Sequence, residues 1–429
     1  MRPLLAASSV SCPVMEGPRK RTRSPSGTWP SCQVHVEWGR AGLEQAAARG
    51  DGIVIVDVLS FSTLVALVTQ RGAAVRALAP DDVAGLGGRA AVAERFDAQV
   101  AGENRDDPTA RVTLSPATAV RVGNGDRLVV PSLNGGLLTS KAAAAPFAIV
   151  GCLRNSAAVA RFVAAALRLA MVERVTIIAA GEQWKADGPG PERARFAIED
   201  WLGAGAVASA CHAADVTLSS EAEVAARAFD ASRGDLAAVL GESLGGRELS
   251  SWGFEADVAL AGAVAVDDGI PWLHRDGFIQ RLSFAVRPAT ESDRAFLFAL
   301  KHATMRDYIV ATFGPWDDVM ERRHFGPDLN RIAVISVDGH DVAMIEARIE
   351  GDDWYLANIQ VAPEWQGRGL GTQIVELVAA VAHARGRALV LRVLKVNRRA
   401  LRFYERLGLQ VTGELPRHWA MRRIPPDPL

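Results

Sequence analysis

The sequence predicts an α/β protein built in two successive parts, and three observations carry that prediction. From Val34 to about residue 280, apolar β-rich runs alternate with helical runs, the pattern of a mostly parallel sheet covered by helices. Polar residues gather just after those runs, at the carboxyl ends of the expected strands, where open α/β sheets place their sites. Near the C-terminus, Gln366-Gly367-Arg368-Gly369-Leu370-Gly371 separates an alternating, strand-like stretch (354–361) from a helix-like one. In the latter, Ile374, Leu377, Val378 and Val381 recur at three- and four-residue spacing. At 429 residues, two or three domains are expected.

Residues 1–32 differ from the rest. The stretch 19–27 is basic and nearly free of apolar residues, so a disordered tail is expected. The apolar stretch near Leu4 is too short and too broken by serines for a signal peptide. A first strand holds His35 and Glu37, and residues 39–49 read as helix. Residues 52–59 form a near-continuous apolar run containing Asp57, a buried parallel strand. Ser60, Ser62 and Thr63 are expected to cap a helix over 64–70. Further strands are predicted at 74–78, 127–130, 148–150, 175–179 and 258–264, with helices at 82–94, 156–170, 193–204 and 220–228. Pro and Gly between Asp267 and Gly277 break both periodicities and mark a joint, giving domains 33–280 and 283–429. In the second domain a strand at 284–288 precedes a helix opening at Glu291, and Asp338-Gly339 signals a hairpin.

Hydrophobic content of 49% with 23% charged residues describes a globular chain, and a net charge of −1 excludes a polycationic nucleic-acid-binding body. The longest apolar run, 142–153, contains Pro146 and Gly151 and falls short of the about 20 residues a membrane span needs. Cys12, Cys32, Cys152 and Cys211 lack metal-ligand spacing, which favours a reducing, cytoplasmic setting. Cys152 and Cys211 read as small buried hydrophobes.

The C-terminal loop has a definite chemistry. Backbone N–H groups at a helix start have no intrahelical partners, and the dipole adds positive potential, so an anion is held there. Glycines let the backbone approach it closely. Beyond the helix come a strand (388–393), Asn397, and a helix carrying Ala400, Phe403 and Tyr404 and ending at Gly408. This order resembles the GNAT N-acyltransferase family over about residues 283–425. The resemblance implies a GNAT α+β fold in which Gln366, Gly367, Arg368, Gly369, Leu370, Gly371 and Asn397 bind acetyl-CoA. It further implies that the pantetheine arm pairs with the strand at Ile359 and Val361, and that Tyr404 protonates the departing thiolate. The acceptor amine needs a base. Asn358 and Gln360 on the adjacent strand are not bases, so Glu346 on the neighbouring strand is the expected one, with Asp307 next.

In the first part, the strand-end pieces are Asp57, Gly102-Glu103-Asn104-Arg105, Ser132-Leu133-Asn134-Gly135-Gly136, Cys152-Leu153-Arg154-Asn155, Ala180-Gly181-Glu182, Glu199-Asp200 and a late Asp257-Val258. Taken in order, they resemble the 2-phosphosulfolactate phosphatases, the ComB-like proteins, over about residues 33–275. The resemblance implies Mg²⁺-dependent hydrolysis of a phosphate ester. Asp57, Glu103 and Asp200 are its expected metal ligands, Asn134, Gly135, Arg154 and Asn155 its substrate contacts, and Asp57 its catalytic group. Hard carboxylate oxygens suit Mg²⁺. The Asp-x-Asp pair of haloacid-dehalogenase-type phosphatases is missing, since position 59 is Leu. Against these roles, Asp57 also reads as a helix cap and Asn134-Gly135 as a tight turn. Glu199 and Asp200, adjacent on a helix, face different ways, so one is expected in the site and the other solvated. Ser60 stands where the resembling proteins often have Arg, and the loop after Glu103 keeps only Ser115-Pro116 of their pattern.

The expected whole is a fusion of a phosphatase-like domain and an acyltransferase. The alternative makes the first domain a non-catalytic binding or dimerisation module. Expected partners are a small phosphate ester, acetyl-CoA and an amine, without nucleic acid or membrane and with room for a homodimer.

Overall fold

Two β-sheets dominate the computed structural model, which describes residues 32–102, 104–183 and 194–425. The basic N-terminal tail and Glu103 lie outside the described residues. The first sheet contains β1 (Val34–Trp38), β2 (Gly52–Val56), β3 (Ala74–Leu78), β4 (Gln99–Val100), β5 (Arg127–Pro131), β6 (Ala148–Gly151) and β7 (Val175–Ala179). Then follow a two-stranded ribbon, β8 (Glu182–Gln183) with β9 (Ala194–Arg195), and a hairpin, β10 (Pro271–Leu273) with β11 (Ile279–Arg281). The nine-stranded order is β1-β7-β2-β6-β10-β11-β3-β5-β4, parallel except around the inserted hairpin. β2 is buried at every residue, as its unbroken Val/Ile run requires.

Several expectations are corrected. Residues 267–277 are not the joint, because β10 and β11 join the middle of the first sheet, where Trp272 pairs with Ile149 and Ile279 with Val75. Pro271 stands at a strand start, a position that does not need its N–H. The chain passes to the second sheet between Arg281 and Ala285. The strand expected at 258–264 is a helix, Glu255–Ala261, whose Asp257 points inward. The helix expected at 82–94 is two, Pro80–Gly85 and Arg89–Phe96, divided at Gly87 and Gly88, both at positive φ. The helix expected at 193–204 runs instead from Ile198 to His212. Ser60 precedes the helix Phe61–Gln70 without a side-chain cap bond. The neighbouring hydroxyls fold back instead, Ser62 Oγ accepting from Asp57 N at 2.8 Å and Thr63 donating to Val58 O at 2.8 Å.

The second sheet contains β12 (Ala285–Pro288), β13 (Ile332–Val337), β14 (His340–Glu350), β15 (Asp353–Val361), β16 (Leu389–Leu394), β17 (Gln410–Glu414) and β18 (His418–Arg423). Their order is β12-β13-β14-β15-β16-β18-β17, antiparallel except for β15 with β16. Asp338-Gly339 makes the predicted turn, both residues at positive φ. Among the described residues, no helix is long and apolar enough to cross a membrane.

A clean linker would leave two separable bodies, yet from Cys32 onward the chain forms one compact unit. The helix Ser156–Arg168 packs against β12 and β13 of the second sheet. Its buried residues Val159, Phe162 and Val163 belong to the same apolar cluster as Phe284, Val286, Ile335 and Trp354. Polar ties cross the seam as well. Trp354 donates its indole N–H to the Leu169 carbonyl at 3.0 Å, both groups buried, and Arg168 donates to Ala289 O at 2.9 Å. Arg385 reaches Met171 O at 3.2 Å and the Glu173 carboxylate at 3.1 Å. Trp354→Phe keeps most of the apolar surface but strands the Leu169 carbonyl, so a loss of about 1–3 kcal/mol is expected. Denaturant titration should show one coincident transition for probes in both halves, shifted to lower denaturant in the variant. Two separate transitions in the wild type would show that the bodies are independent.

Candidate functional sites

The first site forms where the carboxyl ends of β2, β5 and β7 meet. Asp200, on the helix Ile198–His212, accepts N–H bonds from Val58 at 2.7 Å and from Gly181 at 2.9 Å, so one carboxylate ties the ends of β2 and β7 together. Asn134 adds β5 by donating to Gly181 O at 2.9 Å. Gly135 is required by space, since a Cβ there would lie 2.5 Å from the Phe61 ring.

Asp57 sits inside this arrangement, 7% exposed. Its carboxylate accepts a long bond from Phe61 N, 3.4 Å, so the capping role is only weakly met. Burial, and then the charge of Glu182, push its carboxyl up to about 7, opposed by the Phe61 N–H and by Arg105. Burial and the Asp57 charge likewise raise Asp200, and burial raises Glu199. The expectation that one of Glu199 and Asp200 is solvated is corrected: both are buried, because other helices cover this one. A Cβ on Gly245 would lie 2.5 Å from the Glu199 carboxylate, so that glycine makes room for it.

Arg105 is held by Leu114 O at 3.1 Å and by Asp257 at 3.3 Å. Asp257 also accepts from Ser115 Oγ at 2.7 Å and from Ala117 N at 3.0 Å, which explains why the Ser115-Pro116 and Asp257-Val258 pieces occur together. Two of the expected substrate contacts are otherwise engaged. Asn155 donates both amide hydrogens, to Val150 O and Gly269 O, and accepts from Cys152 N. No side-chain donor remains for a phosphate oxygen, which only accepts, so the Asn155 side chain shapes the loop. Arg154 donates to Leu260 O at 2.7 Å, while its buried Nε has no partner among the described residues. Cys152 and Cys211 are fully buried, with thiols pushed up by burial to about 11 and about 12.

Among the described residues, no three His, Cys, Asp or Glu side chains come together as a metal site. What the site does offer a divalent cation is a set of hard oxygens under mutual repulsion around Asp57. Sequence reasoning passes over Glu182 as a charge acting on Asp57. It also misses the mutually packed Trp38, Phe196 and Trp201, because contacts between distant segments leave no local pattern.

The second site begins with one extra residue. The β14–β15 register steps from Glu346↔Asn358 to Ala347↔Leu356, leaving Ala357 as a bulge. β15 pairs with β16 only over Trp354, Tyr355 and Leu356. Beyond the bulge lies a cavity of about 950 Å³. Its wall includes Ile359, Val361, Gln366, Gly367, Gly369, Gly371, Asn397 and Tyr404, all predicted site residues. Gly367 and Gly369 adopt φ of 75° and 86°, where any other L-residue is strained. Gln366 closes the loop by donating to Val361 O at 2.8 Å, and Asn397 caps its helix by accepting from Ala400 N at 3.0 Å. Tyr404 is 8% exposed, and burial holds its hydroxyl protonated well above the usual range.

Three predicted residues do not line the cavity. Arg368 lies over the Trp365 ring at 5.1 Å, and Leu370 is buried in the core. Glu346 is half-buried near Arg348, Asp328 and Arg331, raised by burial, and absent from the cavity wall. Asp307 does line it, as does His302, which sequence reasoning passes over.

A buried α/β strand-end site on the first sheet and a glycine-loop cavity on the split second sheet define a chain with two distinct candidate sites. The chain belongs to the 2-phosphosulpholactate phosphatase family, whose profile matches residues 41–276, and it carries an acetyltransferase (GNAT) domain, matched at residues 298–409. It is an enzyme by both matches. The curated relatives described here share only the second part. The thialysine N-epsilon-acetyltransferase of Bos taurus is 44% identical over 62 residues, 14% of this chain and 36% of that protein. The 5-NmdU N-acetyltransferase of Pseudomonas phage PaMx11 is 40% identical over 70 residues, 16% of this chain and 49% of that protein. The chain thus spans between about a third and a half of those relatives' length. Among solved structures, an acetyltransferase from Thermus thermophilus aligns with 33% of this chain and 97% of its own, at 23% identity and a TM-score of 0.28. The paia N-acetyltransferase of Thermoplasma acidophilum, solved with coenzyme A, aligns with 33% and 99%, at 15% identity and a TM-score of 0.28.

The raised Asp57 carboxyl has a testable consequence. A carboxyl whose folded pKa exceeds its unfolded value, about 3.9, favours the folded state while protonated, and stability falls as pH rises from about 4 to about 7. Asp57→Asn removes this term. In metal-free buffer, the melting temperature of the variant should exceed that of the wild type by a margin that widens over that window. A margin independent of pH would show that Asp57 ionises freely.

Proposed function

We propose that the chain is a bifunctional enzyme: a Mg²⁺-dependent phosphate-ester hydrolase followed by an acetyl-CoA-dependent N-acyltransferase. The observation that carries the second half is the cavity beyond the Ala357 bulge, because it brings eight predicted residues from β15, the glycine loop and the Tyr404 helix to one space. The Gly367–Gly371 backbone would hold the pyrophosphate, the free side of β15 at Ile359 and Val361 the pantetheine arm, and Tyr404 would protonate the leaving thiolate. The acceptor is a primary amine, and thialysine is the first to try, given the relative from Bos taurus. Full-length protein should bind acetyl-CoA in a calorimetric titration, and Gly369→Asp should abolish binding by placing a strained, negative residue at the anion site. Tyr404→Phe should bind normally but turn over roughly 10²-fold more slowly. Equal affinities for wild type and Gly369→Asp would remove the loop from the site.

For the first half, Asp57 would hold Mg²⁺ with Glu103 and Asp200. When bound, the ion would supply the charge that offsets a phosphate ester and a developing anion. Asp57 would bind, Arg105 would stand opposite the acids, and Asn134 and Gly135 would bound the substrate space. A phosphate-ester panel assayed with and without Mg²⁺ should show metal-dependent release of phosphate, lost in Asp57→Asn. Activity unchanged in that variant would reduce Asp57 to a structural residue. One observation favours a second reading, a silent first domain: Ser60 stands where the resembling proteins often have Arg, and its buried Oγ has no partner among the described residues. Cys152 and Cys211, buried and without a disulfide, support a reducing cytosol as the setting.

A further inference from the structure

The acyltransferase cavity lacks a base where β15 would supply one, yet its opposite wall holds a group suited to the task. We infer that His302 is the general base of acyl transfer, oriented by Asp318, and that Gln360 receives the N–H of the acceptor amine. The inference rests on the acyltransferase reading above.

Gln360 lines the cavity, yet as a residue it is 5% exposed. Its Nε2 donates to Asn358 Oδ1 at 3.2 Å, which fixes the amide, and its buried Oε1 has no partner among the described residues. A buried acceptor left unpaired is costly, and an amine N–H entering the cavity would satisfy it. An amide oxygen accepts that hydrogen but does not remove it, so the proton needs another destination.

His302 lines the same cavity from the helix Arg294–Phe313. Its Nε2 lies 3.5 Å from Asp318 Oδ1. That oxygen is itself fixed by the Trp316 indole N–H at 2.8 Å, and the imidazole stands edge-on to the Trp316 ring at 5.7 Å. The carboxylate lies within ion-pair range of the ring, and the indole packs edge-on beside it. A proton on Nε2, toward the carboxylate, leaves Nδ1 with the free lone pair. The other charged groups nearby are Lys301, which pairs with Glu321 at 2.8 Å, and Arg306 and Asp307 one turn on. Imidazole is the side chain that most often serves as a general base.

The step balances without a redox partner. The amine nitrogen forms a bond to the thioester carbonyl carbon and its proton passes to His302 Nδ1. The C–S bond then breaks and the thiolate takes the Tyr404 hydroxyl proton. The imidazolium proton restores Tyr404 through solvent.

The test uses the full chain, acetyl-CoA and thialysine or lysine as acceptor, following thiol release. His302→Gln should lower kcat roughly 10²-fold or more while the acetyl-CoA Kd stays constant, and free imidazole should restore part of the rate. Asp318→Asn should lower kcat several-fold at unchanged acetyl-CoA KM, with Asp318→Glu recovering it. Gln360→Leu should raise the acceptor KM about tenfold, the value of one hydrogen bond. Turnover of His302→Gln within about threefold of wild type would overturn the assignment. A wild type that binds acetyl-CoA but acetylates neither amine would overturn the acyltransferase reading itself, and this inference with it.

Discussion

A helix buried over most of its circumference is stable in water only between two surfaces, and the helix Ser156–Arg168 is such a helix, with Arg161 and Arg168 as its charged residues. No residue in it is exposed, and its alanines at 158, 160, 164, 165 and 166 allow close approach on several faces at once. The first sheet covers one side and β12 and β13 cover another, so the second domain completes the burial of the first. The same helix leaves the Arg154-Asn155 loop at its N-terminal end and meets the Leu169–Trp354 bond just past its C-terminal end. One element therefore continues from a strand-end loop of the first domain and anchors the second sheet.

The buried acids of the first domain divide by what surrounds them. Asp200 accepts two backbone N–H bonds and Asp257 accepts from a hydroxyl, a backbone N–H and a guanidinium, so both tie loops together. Asp57 has one long bond and acidic neighbours. A carboxylate kept under-satisfied in a buried place is held for something that arrives, whereas a satisfied one is part of the frame. By this criterion Asp57 is the least satisfied of the three, while Asp200 keeps a further lone pair on each oxygen beside its two N–H bonds.

What can be read from sequence follows from how local the determinant is. The Gln366–Gly371 loop is legible because two glycines at positive φ, a strand and a helix start occupy one continuous stretch. β2 is legible from its unbroken Val/Ile run. The hairpin β10–β11 reads wrongly as a joint because Pro271 and Gly277 signal a break equally well at a strand start and at a turn. Asp257 hides a helix, since its partners lie near residue 115. Glu346 is sensible on its strand, but only the three-dimensional arrangement shows it outside the cavity, with His302 on the wall. The helix Ser156–Arg168 is the neglected clue to the seam, since apart from Ser156, Arg161 and Arg168 its residues are apolar, too few polar groups for a broad solvent-facing side.

The seam also bears on how the two domains are inherited and maintained. Because Trp354, Phe284 and Phe162 lie in one core, a lesion that loosens either sheet lowers the folded population of both. Quality control acts on that population, so a core mutation selected against through one domain is purged from the other as well. The two domains are thus held at a fixed one-to-one dose, which separate chains with separate stabilities would not guarantee.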